Sequence, residues 1–190
     1  MSDARLRLFT DLVQKWSPRI NLVSKSDLSH LRERHIEDSL RLLPHLPPNL
    51  ERGIDLGSGA GFPGLILCIV TGIPFDLVES DARKAAFLSE AARLTGAPAK
   101  IHNTRIEAAN LPRARLITAR ALAPLDKLLG LAESFLSEDG FCLFPKGRHL
   151  SDELTAAAAL WHMKVERLAI STEGESCILK VSEIRHAGLP

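Results

Sequence analysis

The segment Ile54-Asp55-Leu56-Gly57-Ser58-Gly59-Ala60-Gly61-Phe62-Pro63-Gly64 constrains this chain more than any other. Ile54 to Leu56 reads as a short strand, and four glycines follow in the eight positions Gly57 to Gly64. The apolar run Leu65 to Val70 then reads as a buried helix. Glycine permits a tight turn and a close approach of backbone to a ligand. Pro63 suits the first turn of the helix, where its fixed φ fits and no N–H is needed. Strand, glycine turn and helix in this order form the ligand-binding edge of a doubly wound sheet, at the carboxyl end of its first strand.

The rest of the chain repeats that rhythm. Phe75 to Glu79, Lys100 to His102, Leu116 to Ala119 and Phe141 to Phe144 read as further strands. Between them, Ser80-Asp81 caps a helix with Ala85, Leu88 and Ala92 on one face and Gly96 at its close. Pro124 opens another helix, with Leu125, Leu128, Ala132 and Phe135 inward and Gly140 at its end. A helix from about Ser151 to Trp161 is followed by strands Lys164 to Ile170 and Ser176 to Ile184, joined tightly around Glu173-Gly174. A connection that short makes an antiparallel pair. The fold class is therefore α/β: five parallel strands ending in an antiparallel hairpin, with helices on both faces.

The first part of the chain reads differently. Leu6, Phe9, Val13 and Trp16 form one apolar helical face, which Pro18 is expected to end. Ser26-Asp27 is expected to cap a second helix with Leu28, Leu31, Ile36, Leu40 and Leu43 inward, and Pro44, Pro47 and Pro48 form a stiff linker. Residues 1–49 are thus expected to be a helical extension and residues 50–190 the α/β domain. A chain of 190 residues with mean hydropathy +0.03, 24 basic and 23 acidic side chains is a folded globule, not a disordered tail. Leu65 to Val70 is far short of the roughly 18 apolar residues of a membrane span, and Met-Ser-Asp-Ala-Arg lacks a signal peptide's apolar stretch. Cys68, Cys142 and Cys177 are odd in number and far apart, which predicts buried thiols in a reducing compartment. A cytoplasmic protein without a membrane partner is expected.

Two ligand classes suit the glycine turn. Gly59, Gly61 and Gly64 spell G-x-G-x-x-G, and Glu79 lies 20 residues past Gly59, the distance of the ribose-binding acid in dinucleotide sites. A nicotinamide-dependent oxidoreductase is one reading. Asp55 weighs against it, since a carboxylate beside the loop repels a pyrophosphate but suits the sulfonium and amino group of S-adenosylmethionine. The chain also has room for only one sheet, with none for a separate substrate domain. D-x-G-x-G followed by an acid after the second strand is the pattern of class I methyltransferases. The bases Arg93, Lys100, Arg105, Arg113, Arg115 and Arg120 surround a single acid, Glu107, and Lys146, Arg148 and His149 follow. Gathered on one face, they would hold a phosphate backbone. A non-catalytic RNA-binding module on the same fold is the third reading.

Several pieces together are more specific than a methyltransferase loop. Trp16 with Asn21-Leu22, the block Arg34-His35-Ile36-Glu37-Asp38-Ser39, the segment Asp55 to Gly64, Val78-Glu79-Ser80, Arg83 to Leu88, Thr118-Ala119-Arg120-Ala121 and Lys146-Gly147 span nearly the whole chain. In these the chain resembles the 16S ribosomal RNA guanine-N7 methyltransferases once called glucose-inhibited division protein B. It departs from that family at Ile106, where a small residue often precedes the acid. The resemblance implies S-adenosylmethionine as cofactor and 16S ribosomal RNA of the small subunit, free or in an assembly intermediate, as partner of a monomer. It assigns Gly57 and Phe62 to the methionine and ribose, Glu79 to the ribose hydroxyls and Ile106-Glu107 to the adenine edge. Asp55 and Gly59 complete the cofactor loop. Arg120 faces both cofactor and substrate as the residue that positions the base, with no general base expected. Arg113, Arg115, Lys146 and Arg148 are the candidate RNA contacts. The Arg34–Ser39 block has one histidine and no second at ligand spacing, so no metal is expected; it reads as a helix docked on the catalytic domain through ion pairs, with a secondary role in shaping the substrate entrance.

Overall fold

Strand β1 (Gly53–Leu56) is buried along its whole length because it has strands on both sides and helices on both faces. In the computed structural model, which describes residues 2–169 and 177–188, it pairs in parallel with β2 (Phe75–Val78) and β4 (Ala114–Ala119). Outside these lie β3 (Ala99–His102) and β5 (Leu136–Lys146), also parallel. The last strands are β6 (Trp161–Ala169) and β7 (Cys177–His186). Among the described residues the sheet order is β3-β2-β1-β4-β5-β7-β6, and β7 alone runs against the rest. The expected hairpin is present, with β7 inserted between β5 and β6. The expected turn at Glu173-Gly174, and the strand ends Ile170 and Ser176, lie outside the described residues.

Alternation along the strands gives the sheet two cores. On one face α4 (Gly64–Thr71) and α5 (Ala82–Thr95) pack with α1 (Ser2–Ile20) around Phe9, Phe75 and Phe87. On the other, α6 (Leu125–Glu133) and α7 (Leu150–Ala158) cover Ile54, Ile117 and Phe144. The α5 boundaries follow the sequence: Asp81 accepts from the N–H groups of Arg83 and Lys84, and Gly96 takes φ +61. Cys68 and Cys142 are buried and Cys177 is partly so; desolvation pushes the Cys68 thiol up to about 12.

Four boundaries differ from the sequence reading. Helix α1 continues through Pro18 to Ile20, because proline there removes one donor while Leu6, Phe9, Val13 and Ser17 hold the helix down. It ends where Asn21 takes φ 50 and donates to the Ser17 carbonyl at 3.0 Å. The second helix is split into α2 (Lys25–Leu28), a π-turn Arg32–Ile36, α3 (Glu37–Leu40) and a 3₁₀ turn Leu43–His45. Its cap is Ser24, not Ser26-Asp27: the Ser24 hydroxyl accepts from the Asp27 N–H at 3.2 Å. Gly140 does not close α6 but sits inside β5, where pairing with β4 shifts between Ala114 and Leu116. A Cβ at Gly140 would lie 2.9 Å from Leu136 Cδ1, so the glycine marks an irregular strand. Trp161 opens β6 instead of ending α7, and its indole N–H donates to the Asp126 carbonyl at 3.0 Å.

Candidate active site

The carboxyl ends of β1, β2 and β4 open on a cavity of about 530 Å³. Its floor is the glycine loop. Gly57 and Gly59 take φ +65 and +55, which side chains with a Cβ rarely adopt. Glu79, just past β2, fixes the loop: one carboxylate oxygen accepts from the Gly59 N–H at 2.8 Å and the other from the Asp81 N–H at 2.7 Å. Ile106 is buried in a 3₁₀ turn at the rim, with exposed Glu107 beside it. The structure thus brings Gly57, Gly59, Phe62, Glu79, Ile106, Glu107 and Arg120 to one cavity.

Asp55 is different. Alternation between Ile54 and Leu56 turns its side chain toward α4, behind the loop, and it does not line the cavity. It is fully buried, and its Oδ1 accepts from the Thr118 hydroxyl at 2.6 Å. Burial raises its carboxyl to about 6, against the hydrogen bond from Thr118. A Cβ on Gly64 would lie 2.4 Å from that of Asp55, so glycine at 64 lets α4 start directly over the carboxylate. The direct contact with a sulfonium expected for Asp55 is not what this position offers; the residue joins β1 to β4 and seats the loop.

One wall of the cavity is built by Phe62, His35 and Arg120. The His35 ring stacks on Phe62, and the Arg120 guanidinium lies 5.8 Å from the Phe62 centroid. Phe9 meets the same ring edge-on at 5.6 Å, so α1 supports the stack from below. Arg120 donates to His35 Nδ1 and, at 3.5 Å, to the Arg34 carbonyl. Burial and the Arg120 charge push His35 down to about 4, so it is a neutral acceptor near pH 7. Its other nitrogen faces Asp27 at 3.7 Å. His35 was legible only as part of an ion-paired helix. The ion pairs of this block, Arg34 with Asp27 at 2.8 Å and Arg41 with Asp38 at 2.9 Å, stay within the N-terminal segment; what docks it on the domain is His35, which the π-turn brings into the cavity against Phe62 and Arg120.

Beyond Arg120 lies a second cavity of about 650 Å³, sharing Arg120, Ala121, Leu122 and Ala123 with the first. Asp38, Lys146, His149 and Glu153 also line it. Lys146 is nearly buried and held by Glu153 at 2.5 Å and the Ala123 carbonyl at 3.5 Å, so it braces the shared wall. Arg148 lies between two lining residues, Gly147 and His149. Arg113 and Arg115 are not brought here. They stand at the amino end of β4, where Arg113 donates to the Leu136 carbonyl at 3.3 Å and Arg115 pairs with Asp139 at 2.7 Å. Strand direction places them at the opposite end of the strand from Arg120.

The first cavity falls within the roughly 300–1,000 Å³ of small-molecule sites. A carboxylate at the end of β2, an apolar rim at Ile106 and a glycine floor fit a nucleoside with a short polar arm. Fold and site together define a Rossmann-like, class I S-adenosylmethionine-dependent methyltransferase. Solved structures with this fold include a ribosomal protein L11 methylase from Lactobacillus delbrueckii subsp. bulgaricus, at TM-score 0.62 and 20% identity over 78% of each chain. The N-methyltransferase NodS from Bradyrhizobium japonicum, in complex with S-adenosyl-L-homocysteine, matches at TM-score 0.58 and 14% identity, covering 87% of this chain and 94% of that one.

The sequence comparisons narrow the class. The family GidB, rRNA small subunit methyltransferase G, matches residues 2–178. A ribosomal RNA small subunit methyltransferase G from Rhodospirillum centenum is 50% identical over 186 residues, 97% of this chain and 86% of that protein. Its counterpart from Gluconobacter oxydans is 51% identical over 181 residues, 95% of this chain and 93% of that protein. The chain belongs to the rRNA small subunit methyltransferase G family.

Proposed function

We propose that this chain transfers a methyl group from S-adenosylmethionine to N7 of one guanine in 16S ribosomal RNA of the small subunit, acting as a monomer in the cytoplasm. Residues 1–49 serve as a helical cap on a methyltransferase domain of residues 50–190. Bound S-adenosylmethionine supplies an electrophilic methyl on a positively charged sulfur. The observation that carries the reading is the wall shared by the two cavities: Arg120, Ala121, Leu122 and Ala123 include no group able to take a proton. Guanine N7 has a free lone pair and no proton in the neutral base, so it needs none. What the reaction asks of the chain is alignment and exclusion of water.

Each site residue then has a role. Gly57, Gly59 and Phe62 shape the floor and wall for the methionine and ribose, Glu79 accepts from the ribose hydroxyls, and Ile106-Glu107 meets the adenine edge. Arg120, braced by His35 and Phe62, holds the base. N7 lies on the major-groove edge, which is hard to reach in an RNA helix, so the target base is splayed out. The segment Lys146 to His149 borders the flanking phosphates, with Arg148 as their contact.

The test is mass-spectrometric mapping of 16S ribosomal RNA methylation in cells with and without the protein, paired with transfer from labelled cofactor to naked RNA and to small-subunit particles. A protein-dependent methyl on a guanine N7 is the expected result. Its absence from every substrate, with cofactor still bound, would leave an RNA-binding module.

A further inference from the structure

Four groups line up along a guanine edge in a fixed order: the N2 amino group, N1–H, O6 and N7. The first two donate hydrogen bonds and the last two accept. Adenine presents an acceptor at N1 and an amino donor in place of O6. A pocket that places an acceptor next to a donor, and the donor next to the methyl source, reads guanine and delivers N7.

The two cavities present that order. The first holds the cofactor residues, and Arg120 stands on the shared wall. Arg120 spends two of its five N–H donors on His35 Nδ1 and the Arg34 carbonyl, which leaves three. The second cavity, unlike the first, is lined by the carboxylates Asp38 and Glu153. Glu153 is engaged, since its Oε2 takes both the Leu125 N–H at 2.9 Å and Lys146 at 2.5 Å. Asp38 meets Arg41 through Oδ1 alone, in a partly exposed pair. Asp38 is also close enough to Arg120 for their charges to act on one another. Asp38 lines the second cavity alone, Arg120 lines both, and the cofactor residues line the first, so acceptor, donor and methyl source follow in that order.

We propose that Asp38 is a specificity-determining residue, its carboxylate accepting from N1–H and the N2 amino group of the target guanine while Arg120 donates to O6. This rests on the reading that guanine N7 is the methylated atom. The pairing rejects adenine at both positions, because an acceptor would face N1 and a donor would face the 6-amino group. It also fixes the in-plane rotation of the base, which puts N7 beyond Arg120, in the direction of the first cavity.

The experiment compares small-subunit particles rebuilt with 16S ribosomal RNA carrying guanosine or inosine at the mapped target position. Inosine keeps N1–H, O6 and N7 and lacks only the N2 amino group. The wild-type protein is expected to methylate guanosine about tenfold or more faster than inosine. Asp38→Ala and Asp38→Asn are expected to bring that ratio close to one while lowering the rate on guanosine. Arg41→Ala, which removes only the partner on Oδ1, is expected to leave the ratio unchanged. The melting shift produced by S-adenosylhomocysteine serves as the second readout and should be the same for wild type and Asp38→Asn. A wild-type guanosine-to-inosine ratio preserved in both Asp38 variants overturns the proposal. Loss of N7 methylation in the wild type itself overturns instead the reading on which it rests.

Discussion

The imidazole of His35 lies flat against the ring of Phe62, with centroids 5.0 Å apart and planes 24° from parallel. The two residues come from different parts of the chain, the π-turn Arg32–Ile36 and the glycine loop. Through this stack the N-terminal segment closes one side of the cofactor cavity and offers Arg120 a neutral acceptor. The segment is thus part of the candidate active site as well as a cover for α4 and α5. A guanidinium held between an aromatic face and an imidazole nitrogen has lost much of its rotational freedom before substrate arrives. That preorganisation is what a positioning residue needs.

Asp55 and His35 give opposite pH dependences. His35 titrates at about 4 in the folded protein against an ordinary 6.5, so its contribution to stability is present above pH 6.5 and is lost as pH falls through 4. Asp55 titrates at about 6 against an ordinary 3.8, so its contribution is fully present below 3.8 and is lost as pH rises through 6. Between pH 4 and 6 the two oppose each other. Asp55→Asn keeps an acceptor for Thr118 and removes the Asp55 titration, worth up to about 3 kcal/mol. The variant should lose melting temperature more steeply than wild type on going from pH 6 to 4.5, and the difference should be flat above pH 6.5. Parallel melting curves across that range would show that Asp55 does not titrate there.

The glycine loop offers a test with an internal control. Gly57 and Gly72 both take positive φ, at +65 and +71. Alanine at either position strains the backbone by about 1–2 kcal/mol. A Cβ on Gly57 would also lie 2.6 Å from Leu122 Cδ1, on the wall shared by the cavities, whereas one on Gly72 meets nothing within 4 Å. Both variants should melt lower. Only Gly57→Ala should lose the stabilisation given by S-adenosylhomocysteine. Equal ligand shifts in the two would separate the loop from cofactor binding.

Glu79 is now assigned two tasks, anchoring the loop through Gly59 and Asp81 and accepting from the ribose. Glu79→Ala should weaken S-adenosylhomocysteine binding by about 1–3 kcal/mol in titration calorimetry. Glu79→Gln retains one acceptor and should fall between the variant and wild type. Unchanged affinity in the alanine variant would remove Glu79 from the cofactor site.

These residues show why some of the site could be read from sequence and some could not. The glycine loop, the Asp81 cap and Gly96 are local signals, fixed by φ and by hydrogen bonds within a few positions. Glu79 follows from the length of one strand-turn-helix unit. His35 does not, because its place depends on a π-turn and on α1 carrying Phe9 under Phe62. Asp55 was placed at the correct strand end, but only the packing of α4 decides that its carboxylate faces away from the cavity. The basic stretch misleads for a geometric reason. Arg115 sits near the start of β4 and Arg120 just past its end, about 16 Å apart at a rise of about 3.3 Å per residue, so closeness in sequence sets them at opposite ends of the strand.

That separation yields a prediction about RNA. Charge reversal at Arg148, beside the second cavity, should weaken binding of small-subunit RNA and make its salt dependence shallower. Charge reversal at Arg115 should change the salt slope less and lower the melting temperature more, because Arg115 pairs with Asp139 and donates to the Pro48 carbonyl. Filter binding across a salt series reads both. A larger slope change from Arg115 than from Arg148 would move the RNA track to the other edge of the sheet.

Arg120 carries the sharpest prediction. It directly follows β4, lies over Phe62 and donates to His35, with burial lowering its pKa and Asp38 and Asp27 opposing that. A guanidinium stays protonated in a protein and cannot act as a base, so the part proposed for it is to hold the guanine. Arg120→Lys keeps the charge but loses the planar fork and the stack; the single-turnover rate should fall by about 10-fold or more. Arg120→Ala should fall further, and His35→Ala should reproduce part of the loss with Arg120 still present. His35 titrates at about 4, well below the working range, and N7 needs no deprotonation. The wild-type rate should therefore show no ionisation of an essential base between pH 6 and 8. A bell-shaped single-turnover profile centred near pH 7, or a fully active Arg120→Ala variant, would overturn this mechanism.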